Sequence, residues 1–493
     1  MAQLAFNPYL PSYEYVPDGE PHVWGDRVYV YGSHDRFNGY AFCMNDYVGW
    51  SAPLDDLGNW RYEGVIYPRS QDPNGTLGVV RHGMAAPDCC QGPDGRYYLF
   101  YFLGDHCIKV AVCDEPAGRY RYYGAVHYAD GTNLGDRDEP KMFDPGVLTD
   151  DDGRIYLYVG FGLTSNPLLL DGEKPTAHGA MVFELEPDML TVKPEYEEIH
   201  YIGVKGIREA KGTEYEGHEF LEASSMRKYD GRYYFIYSSY VGHELCWAVS
   251  DNPVSGFRYG GVLVSNGDIG LGGRSIKDAL NYTGNNHGSL VKIGGKFYIF
   301  YHRHTNGKCY SRQACAEEIH YENGRFYQAE ITSCGLNGGP LPGEGTYEAR
   351  IACNLRSRRG TKFYIAFRGI SGPHPYFTQT GEDREDHPDQ YITNIRDGAV
   401  AGFKYFDCDG VSSISVNGNG SARGEMIVTT KIGGEPVTEI PITPSGTAAE
   451  YCAPLAAPLC GVTALYFTFK GKGKFDFHAF TLHRTKDCGG AGS

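Results

Sequence analysis

The chain has 493 residues, 41% of them apolar and 22% charged, with a formal net charge of −16; these values fit two or three globular domains and exclude an intrinsically disordered chain. No uninterrupted apolar run reaches the roughly 18 residues that a membrane-spanning helix requires. The acidic field, with no Lys- or Arg-rich block to offset it, excludes nucleic acid as the expected partner.

The N-terminal run Met1-Ala2-Gln3-Leu4-Ala5-Phe6-Asn7-Pro8 lacks a basic segment ahead of a sustained apolar core, so the expected location is cytoplasmic. Fourteen cysteines are scattered without a repeating framework, and the adjacent Cys89 and Cys90 are poorly placed to bridge one another; the set is read as mostly reduced, buried thiols. Neither a CxxC pair nor an HExxH motif is present, so a thiolate zinc site has no support. Forty Tyr, 24 Phe and 4 Trp, with 66 Gly and 27 Pro, describe short strands joined by tight turns.

Five segments repeat one pattern, a turn followed by a β-branched or aromatic strand: Asp26–Tyr31, Gly95–Phe100, Gly153–Tyr158, Gly231–Ile236 and Gly295–Phe300. The basic residue of each (Arg27, Arg96, Arg154, Arg232, Lys296) recurs at intervals of 69, 58, 78 and 64 residues, enough for one four-stranded antiparallel sheet apiece. Radial repetition of such sheets predicts a five-bladed β-propeller over residues 1–334. Eight to ten residues upstream of each basic anchor stands a titratable group: Asp18, Asp88, Asp144, Glu222 and His287. Equivalent positions of successive blades converge on the propeller axis, so these five groups are expected to meet there. Single Asp residues of this kind are often only turn formers, but buried carboxylates gathered in one place are costly unless each is paired, hydrated or used. Three carboxylates around a polar axis point to general acid and base chemistry on a neutral, polyhydroxylated substrate.

The run Asp18-Gly19-Glu20-Pro21-His22-Val23-Trp24, then Tyr29–Asp35, Ala86-Pro87-Asp88, Phe143-Asp144-Pro145 and Phe220–Ser225, resembles glycoside hydrolase family 43 over about 320 residues. The resemblance implies a five-bladed propeller acting as an inverting glycosidase, chiefly on arabinofuranosides, xylosides or arabinan, with no required cofactor. By matched position, Asp18 is the expected general base, Glu222 the general acid, and Asp144 the carboxylate that orients Glu222 and raises its pKa. Asp18 is followed by Gly19 where many members have Pro, and Pro21 instead follows Glu20, which keeps Glu20 open as an alternative base. The Asp-x-x-x-His-Val-Trp spacing favours Asp18. His287, in Asn285-Asn286-His287-Gly288-Ser289, matches a histidine that in some members helps hold calcium through water. The competing reading is a histidine fixed by hydrogen bonds to a neighbouring blade, since imidazole is not a typical calcium ligand. Arg312 and Asp88 resemble residues of the family's substrate pocket: Arg312 is expected to donate to sugar hydroxyls and to tune the carboxylates, and Asp88 to bind sugar.

Weaker candidates complete the propeller. Trp24, with Trp50 and Phe42, offers a sugar-stacking face, against the commoner fate of core packing. In His302-Arg303-His304 alternate residues face opposite ways, so the three cannot share a metal. The glycine-rich Gly267–Arg274 lacks the Gly-Lys-Ser/Thr ending of a phosphate loop and is read as a mobile loop.

Composition changes at 335–345, with five glycines and two prolines in eleven residues, which reads as a linker. Strand-like segments over 346–487 predict a β-sandwich, and Asp397–Phe406 with Leu465-Tyr466-Phe467 resembles carbohydrate-binding module family 6, a jelly roll. Tyr376 and Tyr451 are its candidate sugar-stacking rings. Residues 488–493 are a tail. The expected fold is thus all-β, and the expected function is exo-acting release of a terminal pentose, of α-L-arabinofuranosidase or β-D-xylosidase type, from an oligosaccharide. The alternatives are another furanosidase such as a galactofuranosidase, a propeller phosphorylase, or a carbohydrate-binding protein without catalysis; retention of Asp18, Asp144 and Glu222 together argues against the last. The sequence sets no oligomeric state.

Overall fold

The computed structural model of the protein describes residues 4–75, 83–163, 174–364, 369–370 and 372–484. Each repeat opens into one antiparallel sheet whose first strand is innermost. Blade one is β1 (Glu20–Trp24), β2 (Arg27–Tyr31), β3 (Tyr47–Pro53) and β4 (Arg61–Tyr67); blade two is β5 (Ala85–Gln91), β6 (Tyr97–Phe102), β7 (Ile108–Cys113) and β8 (Arg121–Ala125). Blade three is β9 (Gly146–Thr149), β10 (Ile155–Val159), β11 (Gly179–Leu185) and β12 (His200–Lys205), and blade four is β13 (Phe220–Tyr229), β14 (Arg232–Ser239), β15 (Glu244–Ser250) and β16 (Arg258–Ser265). Blade five has the three-stranded ladder β17 (Leu290–Ile293), β18 (Lys296–His304) and β19 (Arg312–Ile319).

The repeated aromatic segments are the second strands, and their period-2 alternation explains why they are apolar on both faces. Tyr98, Phe100 and Phe102 face blade three, whereas Leu99 and Tyr101 on the same strand face blade one. Ile155, Leu157 and Val159 likewise turn to blade two, and Tyr156 and Tyr158 to blade four. A strand buried between two neighbouring sheets needs bulk on either side, and five such inter-blade cores close the ring. Among the described residues, closure does not use a fourth ladder strand in blade five. The Asn7 side chain imitates one, donating to Ala316 O and accepting from Ala316 N, both at 2.9 Å.

After a short ribbon, β20 (Tyr321–Glu322) and β21 (Arg325–Phe326), the chain enters a ten-stranded sandwich around one apolar core. Its strands are β22 (Leu341–Pro342), β23 (Gly345–Glu348), β24 (Asn354–Arg356), β25 (Tyr376–Gln379), β26 (Gln390–Ile395), β27 (Val400–Gly420), β28 (Arg423–Thr429), β29 (Pro436–Ile442), β30 (Ser445–Lys472) and β31 (Phe475–His483). Part of the stretch read as a linker belongs to this sheet: Leu341 and Pro342 pair with Phe406 and Asp407, and Gly345 pairs with Leu482. The 488–493 tail lies outside the described residues. Tyr376 on β25 and Tyr451 on β30 have β26, β31 and β27 between them, about 19 Å at the usual strand spacing, so they cannot clamp one sugar ring.

The sandwich is docked on the propeller through buried charge. Lys404 Nζ reaches Asp268 Oδ2 at 3.0 Å and Glu330 Oε1 at 2.9 Å, and Asp268 also accepts from Ile331 N at 2.9 Å. This corrects the reading of Gly267–Arg274 as a mobile loop: Asp268 is buried and the segment is a docking element. Arg303 donates to Arg350 O and Ala352 O, and Arg384 pairs with Glu14 at 2.5 Å. Twelve cysteines are free thiols, eleven of them buried, and Cys452 is disulfide-bonded.

Candidate active site

The inner strands β1, β5, β9, β13 and β17 pack around the axis, and the residues at their leading ends define a well. Asp18, just before β1, has φ 59°, and Asp144, just before β9, has φ 46°; Asp tolerates this left-handed region better than most side chains. Gly146, two residues on, is required because a Cβ there would lie 2.4 Å from Ser224 O. Its absence lets β9 lie against β13 and delivers Asp144 beside Glu222. Asp144 Oδ2 accepts from Ala223 N at 3.1 Å, and Ala223 itself is held at φ 65°. A non-glycine residue in this region costs on the order of 1 kcal/mol and persists only where the surroundings enforce it.

Asp18 is buried. Its Oδ1 takes Arg312 Nη1 at 2.7 Å and lies 3.3 Å from His302 Nδ1. Burial alone would lift its pKa, but the Arg312 guanidinium and the His302 ring outweigh that effect and hold it well below the ordinary carboxylate range. Glu222 goes the opposite way. Burial and then the negative charge of Asp144, with a smaller contribution from Asp18, push it up to about 8. Asp144 is raised by burial and by the Asp18 charge, against the nearby His287. His287 lies between two carboxylates, Nδ1 3.4 Å from Asp144 Oδ2 and Nε2 3.7 Å from Glu20 Oε1. Burial opposes its charge, yet Asp144 first among its neighbours holds its pKa well above the usual histidine value.

Asp18, Asp144, Glu222 and His287 are therefore brought into one electrostatic unit with Arg312 beside Asp18, while two expected substrate contacts, Asp88 and Trp24, are not. Asp88 is fully buried: Oδ1 is 2.7 Å from His22 Nε2 and takes Cys89 N at 2.8 Å, and Oδ2 takes Val147 N at 2.9 Å. It ties blades one, two and three together instead of facing sugar. Trp24 stands at the far end of β1, stacked on His22 with ring centroids 5.4 Å apart. The strand from Glu20 to Trp24 carries it about 13 Å along β1, away from the leading end and outside the well. Arg312 is at the site, but its guanidinium is committed to carboxylates: Nη1 to Asp18, Nε to Asp35 Oδ2 at 2.9 Å and Nη2 to Asp35 Oδ1 at 3.1 Å. At 3% side-chain exposure it acts on Asp18, and with Nη2 also 3.6 Å from Cys43 Sγ four of its five N–H donors are taken.

Asp35 and His302 were missed as participants, although both stood in singled-out sequence. Ser33-His34-Asp35 closes the Tyr29–Asp35 run, and the alternation in His302-Arg303-His304 implied that the three do not all face the axis without saying which does. Glu20, the alternative base, is engaged through one oxygen: Oε2 takes Arg227 Nη2 at 2.5 Å and Ser225 Oγ at 2.9 Å, while Oε1 faces His287.

Calcium ligation at His287 does not fit these residues. Imidazole is not a typical calcium ligand, and Glu20 Oε1, a buried oxygen without a hydrogen bond 3.7 Å from His287 Nε2, falls far short of six to eight oxygen ligands, so water would have to supply most of the shell. Below it, Glu20, His22 and Asp88 converge closely enough for a cation, but Arg227 Nη2, also 3.5 Å from His22 Nε2, is the cation there. In the cluster of His218, Glu244 and Cys246, three donors already converge on one oxygen: His218 Nδ1 and Ser239 Oγ at 2.7 Å and Cys246 Sγ at 3.4 Å from Glu244 Oε1.

A propeller whose axial well pairs an ionised carboxylate with a protonated one is the architecture of a glycoside hydrolase. Residues 14–326 match the family described as Glycosyl hydrolases family 43. The chain is 50% identical over 488 residues to a xylosidase/arabinosidase of Thermoclostridium stercorarium, covering 98% of this chain and 99% of that one. It is 30% identical over 355 residues to a xylosidase/arabinosidase of Bacteroides ovatus, covering 65% of this chain and 97% of that one. Among solved structures, a family 43 arabinoxylan arabinofuranohydrolase from Bacillus subtilis in complex with cellotetraose shares the fold across 97% of this chain and 99% of its own, with a TM-score of 0.50 and 20% identity. The protein belongs to glycoside hydrolase family 43: it is an all-β glycosidase with a catalytic propeller and a C-terminal β-sandwich.

Proposed function

We propose that the protein is an inverting, exo-acting xylosidase/arabinosidase that removes terminal pentose from oligosaccharides. Asp18 takes a proton from water as the water oxygen bonds to the anomeric carbon. Glu222 gives its proton to the glycosidic oxygen as the bond from that oxygen to the anomeric carbon breaks, and Asp144 orients Glu222 and keeps it protonated. The observation that carries this reading is the separation of two carboxyl groups in one well, one held far below the ordinary range and the other raised to about 8. Whole-length identity of 50% to a xylosidase/arabinosidase supports the pentose. The sandwich, as a module of carbohydrate-binding type, buttresses the propeller, whose catalytic unit we take as 1–334. Abundant buried free thiols support a cytoplasmic location and imported oligosaccharides as substrate.

The test is a panel of nitrophenyl glycosides, followed by proton NMR of the first sugar released. Turnover of β-D-xyloside and α-L-arabinofuranoside is expected, with the anomer opposite to that of the substrate appearing first. A preference for galactofuranoside, or dependence on phosphate, would replace the pentosidase reading by one of its alternatives.

A further inference from the structure

The sandwich carries a concavity of about 410 Å³ lined by Arg358, Arg359, Arg396, Lys472, Asp397 and Pro373. In a chain of net charge −16, four cations around one acid make a local reversal of sign. Asp397 is partly spent, on Arg358 Nη1 at 3.0 Å and on Gly471 N at 3.1 Å. Arg396 has only the neutral Asn394 Oδ1, at 2.7 Å. Arg359 and Lys472 have no side-chain hydrogen bond or ion pair among the described residues, and Arg423 stands directly opposite Lys472 in the β28–β30 ladder. Like charges facing across a ladder are unfavourable, so the cluster is maintained against local electrostatic cost.

Its position relates it to the catalytic well. Beyond Arg359 the chain runs four residues, at most about 14 Å, to Phe363, which pairs with Thr283 on the propeller. Thr283 N donates to Lys362 O at 3.2 Å, and Tyr364 N donates to Thr283 O at 2.6 Å. The Tyr364 ring stacks on His304 at 5.1 Å, and His304 Nε2 is 2.8 Å from the side chain of Asn285, two residues before His287. Phe363 is 45% exposed and lies against the Gly242 turn, at the end of blade four where Glu222 sits. The basic concavity is thus tied by a chain segment of at most about 14 Å to the blade end that carries Glu222.

We propose that the concavity is an accessory subsite for a carboxylate-bearing sugar, so that the enzyme favours oligosaccharides carrying a uronic acid substituent away from the pentose that is cleaved. Guanidinium groups match carboxylate geometry, the Pro373 ring gives an apolar face beside them, and the volume admits a pyranose ring, more than a bare anion needs. This rests on the pentosidase reading for the identity of the main chain, but not for the anion subsite itself.

The test compares the full-length protein with the double variant Arg359→Ser/Lys472→Ser, both exposed positions, on three substrates: a uronic acid-substituted xylo-oligosaccharide, an unsubstituted one of the same length, and nitrophenyl β-xyloside. The variant is expected to raise KM for the charged oligosaccharide about five- to tenfold with kcat unchanged, and to leave the other two substrates and the thermal midpoint as they were. High salt is expected to erase the wild-type preference, as screening requires. Equal KM values of the wild type for charged and neutral chains would overturn the proposal, as would inorganic phosphate competing at lower concentration than the uronic acid. If the wild type cleaves no pentoside, the functional reading fails instead, and calorimetric binding of the charged against the neutral oligosaccharide still decides the subsite.

Discussion

Asp144 Oδ2 accepts the backbone N–H of Ala223 at 3.1 Å, so the carboxylate that keeps Glu222 protonated is anchored to the residue that follows it. Orientation and charge therefore come from one group. With Glu222 at about 8, the alkaline limb of kcat/KM is expected near pH 8, because the acid works only while protonated. Asp144→Asn removes the negative charge that raises Glu222, so the limb should move toward lower pH while kcat falls. A pH profile of kcat/KM for both proteins checks this; an unmoved limb would show that burial alone sets the acid.

Glu222→Ala separates proton donation from everything else in the well. On a xylo-oligosaccharide, whose leaving oxygen needs the proton, kcat is expected to drop by about 10² to 10⁴. On a nitrophenyl pentoside with a good leaving group much of the activity should persist. Parallel losses on the two substrates would remove Glu222 from the acid role.

Asp18 and Glu20 lie two residues apart, and their partners divide chemistry from architecture. Asp18→Asn leaves Arg312 with both oxygens of Asp35, so folding should survive while kcat falls by about 10³ or more. Glu20→Gln strips the charge partner from buried Arg227, and breaking such a pair costs about 3 kcal/mol. The expected result is a lower thermal midpoint with kcat per folded molecule within about tenfold of wild type. A kcat loss in Glu20→Gln as deep as in Asp18→Asn would make Glu20 the base.

These residues also mark how far the sequence could be read. The blade repeat was legible because a strand buried on both faces must be apolar at every position, as Ile155–Val159 is, and the leading Asp and Glu followed from that register. Trp24 was misplaced because a short strand carries its two ends to opposite faces of the propeller, and the resemblance to a motif does not encode that distance. Asp88 was found, but its employment was not: a buried carboxylate and a sugar-binding one look alike until the partners His22 and Val147 arrive from other blades. The docking of Lys404 on Asp268, 136 residues apart in sequence, left no local signal. Glycine-rich Gly267–Arg274 accordingly read as a loop free to move.

A second buried carboxyl outside the well makes a stability prediction with a definite sign. Glu317 accepts Asn7 Nδ2 and Thr332 N at 2.7 Å and Tyr301 Oη at 3.1 Å on one oxygen, and Thr332 Oγ1 at 2.7 Å on the other. Burial nevertheless wins and pushes its pKa up to about 8. A carboxyl raised in the folded state above its unfolded value of about 4.3 contributes stability that is complete below that value and lost as pH rises through 8. Glu222 titrates in the same window with the same sign, whereas Asp18, depressed on folding, contributes stability that disappears only in acid. The wild-type thermal midpoint is therefore expected to fall between pH 5 and pH 9, and Glu317→Gln, which stays neutral throughout, should flatten that decline by about 2 kcal/mol, well under the full linkage value because buried sites relax. Glu222→Gln should flatten it further and additively, since the two residues share no partner. Thermal melts of the three proteins at pH 5, 7 and 9 decide the matter: parallel curves for wild type and Glu317→Gln would mean that Glu317 is ionised in the folded protein at neutral pH.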